Sequence, residues 1–136
     1  TGASITGGST TDTVVFPFEA FDSHGAYNSS TGIFTAPISG KFVFGASAGF
    51  IPITFSTADR AIISLVTNSG ATGFSGRVIG NGGSSAGSEI FPMVTGEFDL
   101  KAGQTVYVGF LTSNVSPGNL NTSQTACYFW GYRIGN

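Results

Sequence analysis

In the run Val106-Tyr107-Val108-Gly109-Phe110-Leu111, Val106, Val108 and Phe110 fall on one side of an extended chain and the others on the opposite side. A period of two is the pattern of a half-buried β-strand. It recurs at residues 41–44, 61–66, 74–79, 89–100 and 127–134. Nowhere do apolar residues repeat at i, i+3 and i+4 over a useful length, so no amphipathic helix is predicted. Turn-forming clusters separate the runs: Asn28-Ser29-Ser30-Thr31-Gly32, Asn68-Ser69-Gly70, Gly80-Asn81-Gly82-Gly83-Ser84, Lys101-Ala102-Gly103 and Ser116-Pro117-Gly118-Asn119. Many short strands at a spacing of roughly 8 to 14 residues predict an all-β antiparallel sandwich or barrel.

A length of 136 residues supports one domain with one core. The chain is 40% hydrophobic with 13 Phe, too apolar for a disordered linker despite its 21 Gly. Residues 1–12 read as a linker or a weak first strand, and residues 13–136 as a single domain without internal repeats. The absence of a starting Met reads as a mature product or an excised C-terminal domain. Charge is scarce, with 5 Lys+Arg against 7 Asp+Glu and a net charge of −2. The cations Lys41, Arg60, Arg77, Lys101 and Arg133 are scattered, which leaves no basic field for nucleic acid. The uncharged run at residues 42–58 contains Pro52 and several small polar residues and is not a membrane-spanning helix.

Catalytic chemistry finds little to work with. Cys127 is the only cysteine and His24 the only histidine, so no internal disulfide forms, and a thiol opening a strand reads as an inert buried hydrophobe. No Ser lies in a Gly-x-Ser-x-Gly elbow, and Gly80-Asn81-Gly82-Gly83 is followed by neither Lys nor a helix. Glu19, Asp22, Glu89, Glu97 and Asp99 follow no calcium-loop pattern. No catalytic residue, metal ligand or cofactor is assigned, and the chain is not expected to be an enzyme. Asp59-Arg60 reads as a solvated strand edge. The sequons at Asn28, Asn114 and Asn121 matter only in a eukaryotic secretory pathway. Residues 80–88 and 112–125 are long, small and polar, and are expected to form exposed loops at an end of the sandwich, where binding concentrates.

Three motifs carry a family resemblance. The first contains Phe16, Tyr27-Asn28, Thr31-Gly32, Phe34, and Gly40 followed by alternating aromatics. The second is Phe98-Asp99-Leu100-Lys101-Ala102-Gly103-Gln104-Thr105-Val106-Tyr107-Val108, and the third Tyr128-Phe129-Trp130-Gly131-Tyr132-Arg133-Ile134. In this order, over roughly residues 14–134, they resemble the globular head domain of complement component one, subcomponent q, whose fold is shared with the tumour necrosis factor superfamily. The family's first strand is weak or missing here. Vertebrate members often have Cys where this chain has Ala36-Pro37, and Thr35-Ala36-Pro37 looks more like bacterial and viral relatives.

The resemblance implies a jelly roll of about ten antiparallel strands that assembles as a homotrimer. By likeness to the family's last strand, the face of Phe129 and Gly131 is expected to look toward the threefold axis, joined by Met93, and the Trp130 face into the sandwich; ordinary core packing of Phe129 and Met93 is the alternative. Some members carry calcium near the trimer top, but no such site is assigned. The expected function is a non-enzymatic trimeric binding head at the end of a longer fibre or stalk. It would be extracellular, on a phage or viral particle, attaching to a cell-surface glycan or protein receptor. Asn81, Ser84, Ser85, Ser88, Asn114, Asn119, Asn121 and Gln124 are the candidate ligand contacts, because amides and hydroxyls suit sugar hydroxyls. A structural trimerisation cap or capsid decoration and a secreted eukaryotic recognition or cytokine-like protein are the alternatives.

Overall fold

The computed structural model describes residues 4–5, 8–16, 25–52, 60–68, 72–79, 89–113, 118–120 and 127–135. Most of the alternating sequence becomes strand, and no helix occurs among the described residues. The first six strands are β1 (Ser4–Ile5), β2 (Gly8–Thr13), β3 (Tyr27–Asn28), β4 (Ile33–Thr35), β5 (Gly40–Ala48) and β6 (Phe50–Pro52). The remainder are β7 (Arg60–Thr67), β8 (Thr72–Ile79), β9 (Met93–Leu100), β10 (Thr105–Ser113), β11 (Gly118–Leu120) and β12 (Cys127–Gly135).

All described pairings are antiparallel. One sheet runs β3-β4-β10-β7-β8, the other β12-β5-β9, and a small third sheet β1-β11-β6. Along one side of β10, β4 covers Thr105–Tyr107 and β2 covers the stretch beyond, with Gly109 opposite Thr13. The first dozen residues, read from sequence as a linker or weak first strand, thus contain β1 and most of β2. The run at residues 89–100 is strand only from Met93, while Ile90 joins Phe50 by an isolated bridge.

The core lies between the two large sheets. Val106, Val108 and Phe110 of β10 and Ala61, Ile63 and Leu65 of β7 bury one wall. Phe42, Phe44, Ala46, Ala48, Val94 and Phe129 supply the other. Phe44 is the hub, with ring centroids 4.9 Å from Phe34, 5.8 Å from Phe129, 6.0 Å from Phe98 and 6.2 Å from Phe42. Each fully buried Phe contributes about 1.5–3 kcal/mol through removal from water, and well-placed ring pairs add about 0.5–1.5 kcal/mol each. The Tyr27 hydroxyl accepts a hydrogen bond from the Phe16 backbone N–H at 2.9 Å, which satisfies both groups inside the core.

Two turns follow the sequence expectation. Asn28 Oδ1 accepts from the Ser30 N–H at 2.9 Å, and the Asn28 carbonyl accepts from the Gly32 N–H at 2.8 Å. Gly32 has φ of 74°, and a Cβ there would meet the Val14 carbonyl oxygen at 2.5 Å, so conformation and space both demand glycine. At the turn after β9, Gln104 Oε1 accepts from the Lys101 N–H at 2.7 Å.

Candidate functional site

Strand ends define a loop pole. Ser113 of β10 lies opposite Arg60 at the start of β7, and Arg60 opposite Ile79 at the end of β8. In the other sheet, Cys127 begins β12 opposite Ala48 near the end of β5, and Ser47 lies opposite Met93 at the start of β9. Phe50 ties the two sheets together here, opposite Leu120 in β11 and with its ring 5.1 Å from Phe110. The described residues flanking 80–88, 114–117 and 121–126 therefore meet at one end of the sandwich. Asn81, Ser84, Ser85, Ser88, Asn114, Asn121 and Gln124 themselves lie outside the described residues, as do His24 and Asp59. Asn119 lies in β11, opposite Ser4 of β1 and Ile51 of β6, so its backbone belongs to a sheet.

The opposite pole is closed by hydrogen bonds. The Gly103 N–H donates to the Ala36 carbonyl and the Ala36 N–H to the Gln104 carbonyl, each at 2.8 Å. Ser39 Oγ accepts from the Ala102 N–H at 3.1 Å, and the Ser39 carbonyl from the Arg133 guanidinium at 3.4 Å.

The outer face of the β12-β5-β9 sheet is a ladder of three-residue rows. From the loop pole downward these are Tyr128-Ser47-Met93, Trp130-Gly45-Thr95 and Tyr132-Val43-Glu97, after which Lys41 faces Asp99 beside a bulge in β12. The Trp130 ring lies over Gly45, where a Cβ would come 2.7 Å from the indole Nε1. The rings of Trp130 and Tyr132 are near parallel, with centroids 5.8 Å apart. Tyr132 is 49% exposed, Ile134 45% and Met93 57%. Lys41 Nζ reaches Glu97 at 3.0 Å across the strands. That hydrogen bond and charge, with Asp99 beside it, hold the ammonium above its ordinary range.

This geometry reverses the expected faces of β12. Phe129 is 3% exposed and stacks on Phe16 and Phe44 inside the sandwich. Gly131 lies on the same inner face, directly under the Phe44 ring. Neither is available to an axis; Trp130 and Tyr132 take the outer face instead, and Ile134 is exposed at the bulge. The physical reason is that Trp and Tyr carry polar atoms that keep contact with water, whereas Phe129 carries none. Met93 lies on the outer face, opposite Ser47.

Cys127 is buried, and burial pushes its thiol up to about 11. Among the described residues no group of three or more His, Cys, Asp or Glu side chains gathers to hold a metal ion, and no helix is long and apolar enough to cross a membrane.

No protein-family model matches the chain, and no curated protein matches its sequence. Solved structures do, among them the globular domain of the zebrafish complement 1qA protein. The match has a TM-score of 0.59 and 14% identity, and it covers 98% of this chain and 97% of that one. At this identity the likeness bears on fold, and a vertebrate neighbour gives no closeness to bacterial or viral members. The strand order, the buried aromatic core and this end-to-end match together establish that the chain folds as a jelly-roll β-sandwich of the complement and tumour necrosis factor type.

Proposed function

We propose that the chain is a non-enzymatic, extracellular recognition head that works as a homotrimer and engages its ligand with the loop pole. The observation that carries this reading is the convergence of the strand ends flanking 80–88, 114–117 and 121–126 on one end of a rigid sandwich. Uncharged amide and hydroxyl side chains in those segments suit sugar hydroxyls, and three copies turn individually weak contacts into tight attachment. The outer face of the β12-β5-β9 sheet, with Trp130, Tyr132 and Met93, is the surface for self-association, because a lone chain leaves Tyr132 and Met93 largely in water and Trp130 half-buried. Thr35-Ala36-Pro37 supports placement on a phage or viral fibre, with a stalk upstream.

Replacing residues 80–88 with a short Gly/Ser turn tests the reading. Binding on a glycan array and to host cells is expected to disappear while mass and melting temperature stay unchanged. Undiminished attachment would contradict it. That result would favour the second reading, a structural cap, which the pairing of Asn119 between β1 and β6 supports.

A further inference from the structure

The hairpin between β3 and β4 carries Asn28-Ser29-Ser30, the acceptor pattern for an N-linked sugar. Side chains alternate along β3, with Tyr27 buried and Asn28 exposed, and Ser29, Ser30 and Thr31 after it are exposed as well. The turn holds Asn28 by its oxygens. Oδ1 accepts from the Ser30 N–H at 2.9 Å, and the carbonyl accepts from the N–H groups of Thr31 at 3.1 Å and Gly32 at 2.8 Å. No hydrogen bond among the described residues engages Nδ2. Ser30 enters the turn through its main chain, so the fold does not call for its hydroxyl, the group that completes the acceptor pattern.

The place of this turn in the fold matters as much as its exposure. β3 stands at one end of the order β3-β4-β10-β7-β8, in the sheet that does not carry Trp130, Tyr132 and Met93. Asn28 lies opposite Ile33 and Ile33 opposite Tyr107, whereas the loop pole begins at Ser113. From Tyr107 to Ser113 an extended strand rises roughly 20 Å. A glycan rooted on Asn28 therefore stands clear of both the loop pole and the outer face of the β12-β5-β9 sheet. We propose that Asn28 is an N-glycosylation acceptor on the flank of the sandwich. In the transfer, Nδ2 bonds to C1 of an oligosaccharide carried on a polyisoprenyl diphosphate, the C1–O bond breaks, one amide proton passes to the transferase, and polyisoprenyl diphosphate leaves. Oδ1 is unchanged, so its hydrogen bond from Ser30 survives and the turn is kept. The proposal rests on the extracellular part of the reading above, for a chain exported by a eukaryotic secretory route, and does not depend on what the loop pole binds.

Translation of the full chain behind a cleavable signal sequence, in the presence of endoplasmic-reticulum microsomes, tests it. With Asn114→Gln and Asn121→Gln closing the other two sequons, the translocated chain is expected to gain the mass of one glycan, to lose it to an N-glycosidase, and to carry it on a peptide containing Asn28. Ser30→Ala keeps the backbone N–H that Asn28 Oδ1 accepts, so it should abolish the gain and leave the melting temperature unchanged; Ser30→Thr should preserve the gain. Glycosylated protein secreted from eukaryotic cells should match its enzymatically deglycosylated form in the number of chains per particle and in ligand binding. A translocated, protease-protected chain that gains no mass, or a gain that persists in Ser30→Ala, would overturn Asn28 as the acceptor while leaving the recognition reading standing. Self-association or binding that is lost in the glycosylated form and restored by the glycosidase would overturn its placement on a clear flank. Undiminished attachment after replacement of residues 80–88 strikes the recognition reading alone.

Discussion

Gly131→Ala is the most informative single change in the core. The added Cβ would stand 2.6 Å from Phe44 Cε1 and 3.5 Å from its Cγ. Phe44 cannot retreat, because it is fully buried and hemmed in by Phe34, Phe42, Phe98 and Phe129. Forcing a methyl into a filled core costs about 1–3 kcal/mol. Removing a glycine from a strand offsets about 0.5–1 kcal/mol of this by restricting the unfolded chain. The net expectation is a loss of about 1–2 kcal/mol, which lowers the melting temperature by about 3–10 °C for a domain of this size. Urea unfolding followed by near-ultraviolet circular dichroism measures it, with wild type and variant at equal concentration because an oligomer's stability depends on concentration. Gly135→Ala is the control. Nothing lies within 4 Å of its added Cβ, and it should leave the midpoint unchanged or raise it slightly. Phe44→Leu, harmful alone, should recover part of the Gly131→Ala loss when the two are combined. Gly131→Ala as stable as wild type would refute the close ring-on-glycine packing and the inward assignment of this face of β12.

Other substitutions separate the two faces and the turns. Phe129→Ala is expected to cost about 3–5 kcal/mol in unfolding experiments, because it opens a cavity among Phe16, Tyr27 and Phe44; a change in oligomeric mass with stability intact would contradict the inward placement. Gly45→Ala should lift the half-buried Trp130 ring, shift its fluorescence and weaken association more than it weakens folding. The Cys127 thiol should resist alkylation in the native state from pH 7 to 9 and react only on unfolding. Its folded pKa of about 11 lies above the unfolded value, so its contribution, at most about 3 kcal/mol, is present below about pH 9 and fades as pH rises toward 11. Urea midpoints at pH 8 and pH 10.5 check this. Removing the Lys41–Glu97 pair with Glu97→Gln should barely move the urea midpoint, since both side chains are solvated.

Strand positions were legible because hydropathy alternates wherever one face is buried, as at Val106, Val108 and Phe110. β2 was not, since Gly-Ser-Thr-Thr-Asp-Thr has no apolar alternation and its pairing with β10 is made by the main chain. The inner face of β12 was ambiguous from sequence because both faces carry aromatics. Register decides it, by setting Gly131 opposite Phe44 on one face and Trp130 opposite Gly45 on the other. The Lys41–Glu97 pair likewise joins residues 56 positions apart and depends on the pairing of β5 with β9. Tyr and Trp concentrated on one face of the last strand, with Phe on the other, favoured the observed orientation, but the family likeness pointed Phe129 toward an axis instead.

The central claim is a head domain that works as a homotrimer, and solution mass tests it most directly. Light scattering coupled to size exclusion, run on wild type and on Tyr132→Asp, should give three times 13.9 kDa for the first and a shift toward 13.9 kDa for the second, with both folded by circular dichroism. A wild-type mass of 13.9 kDa at every concentration tested would contradict the account.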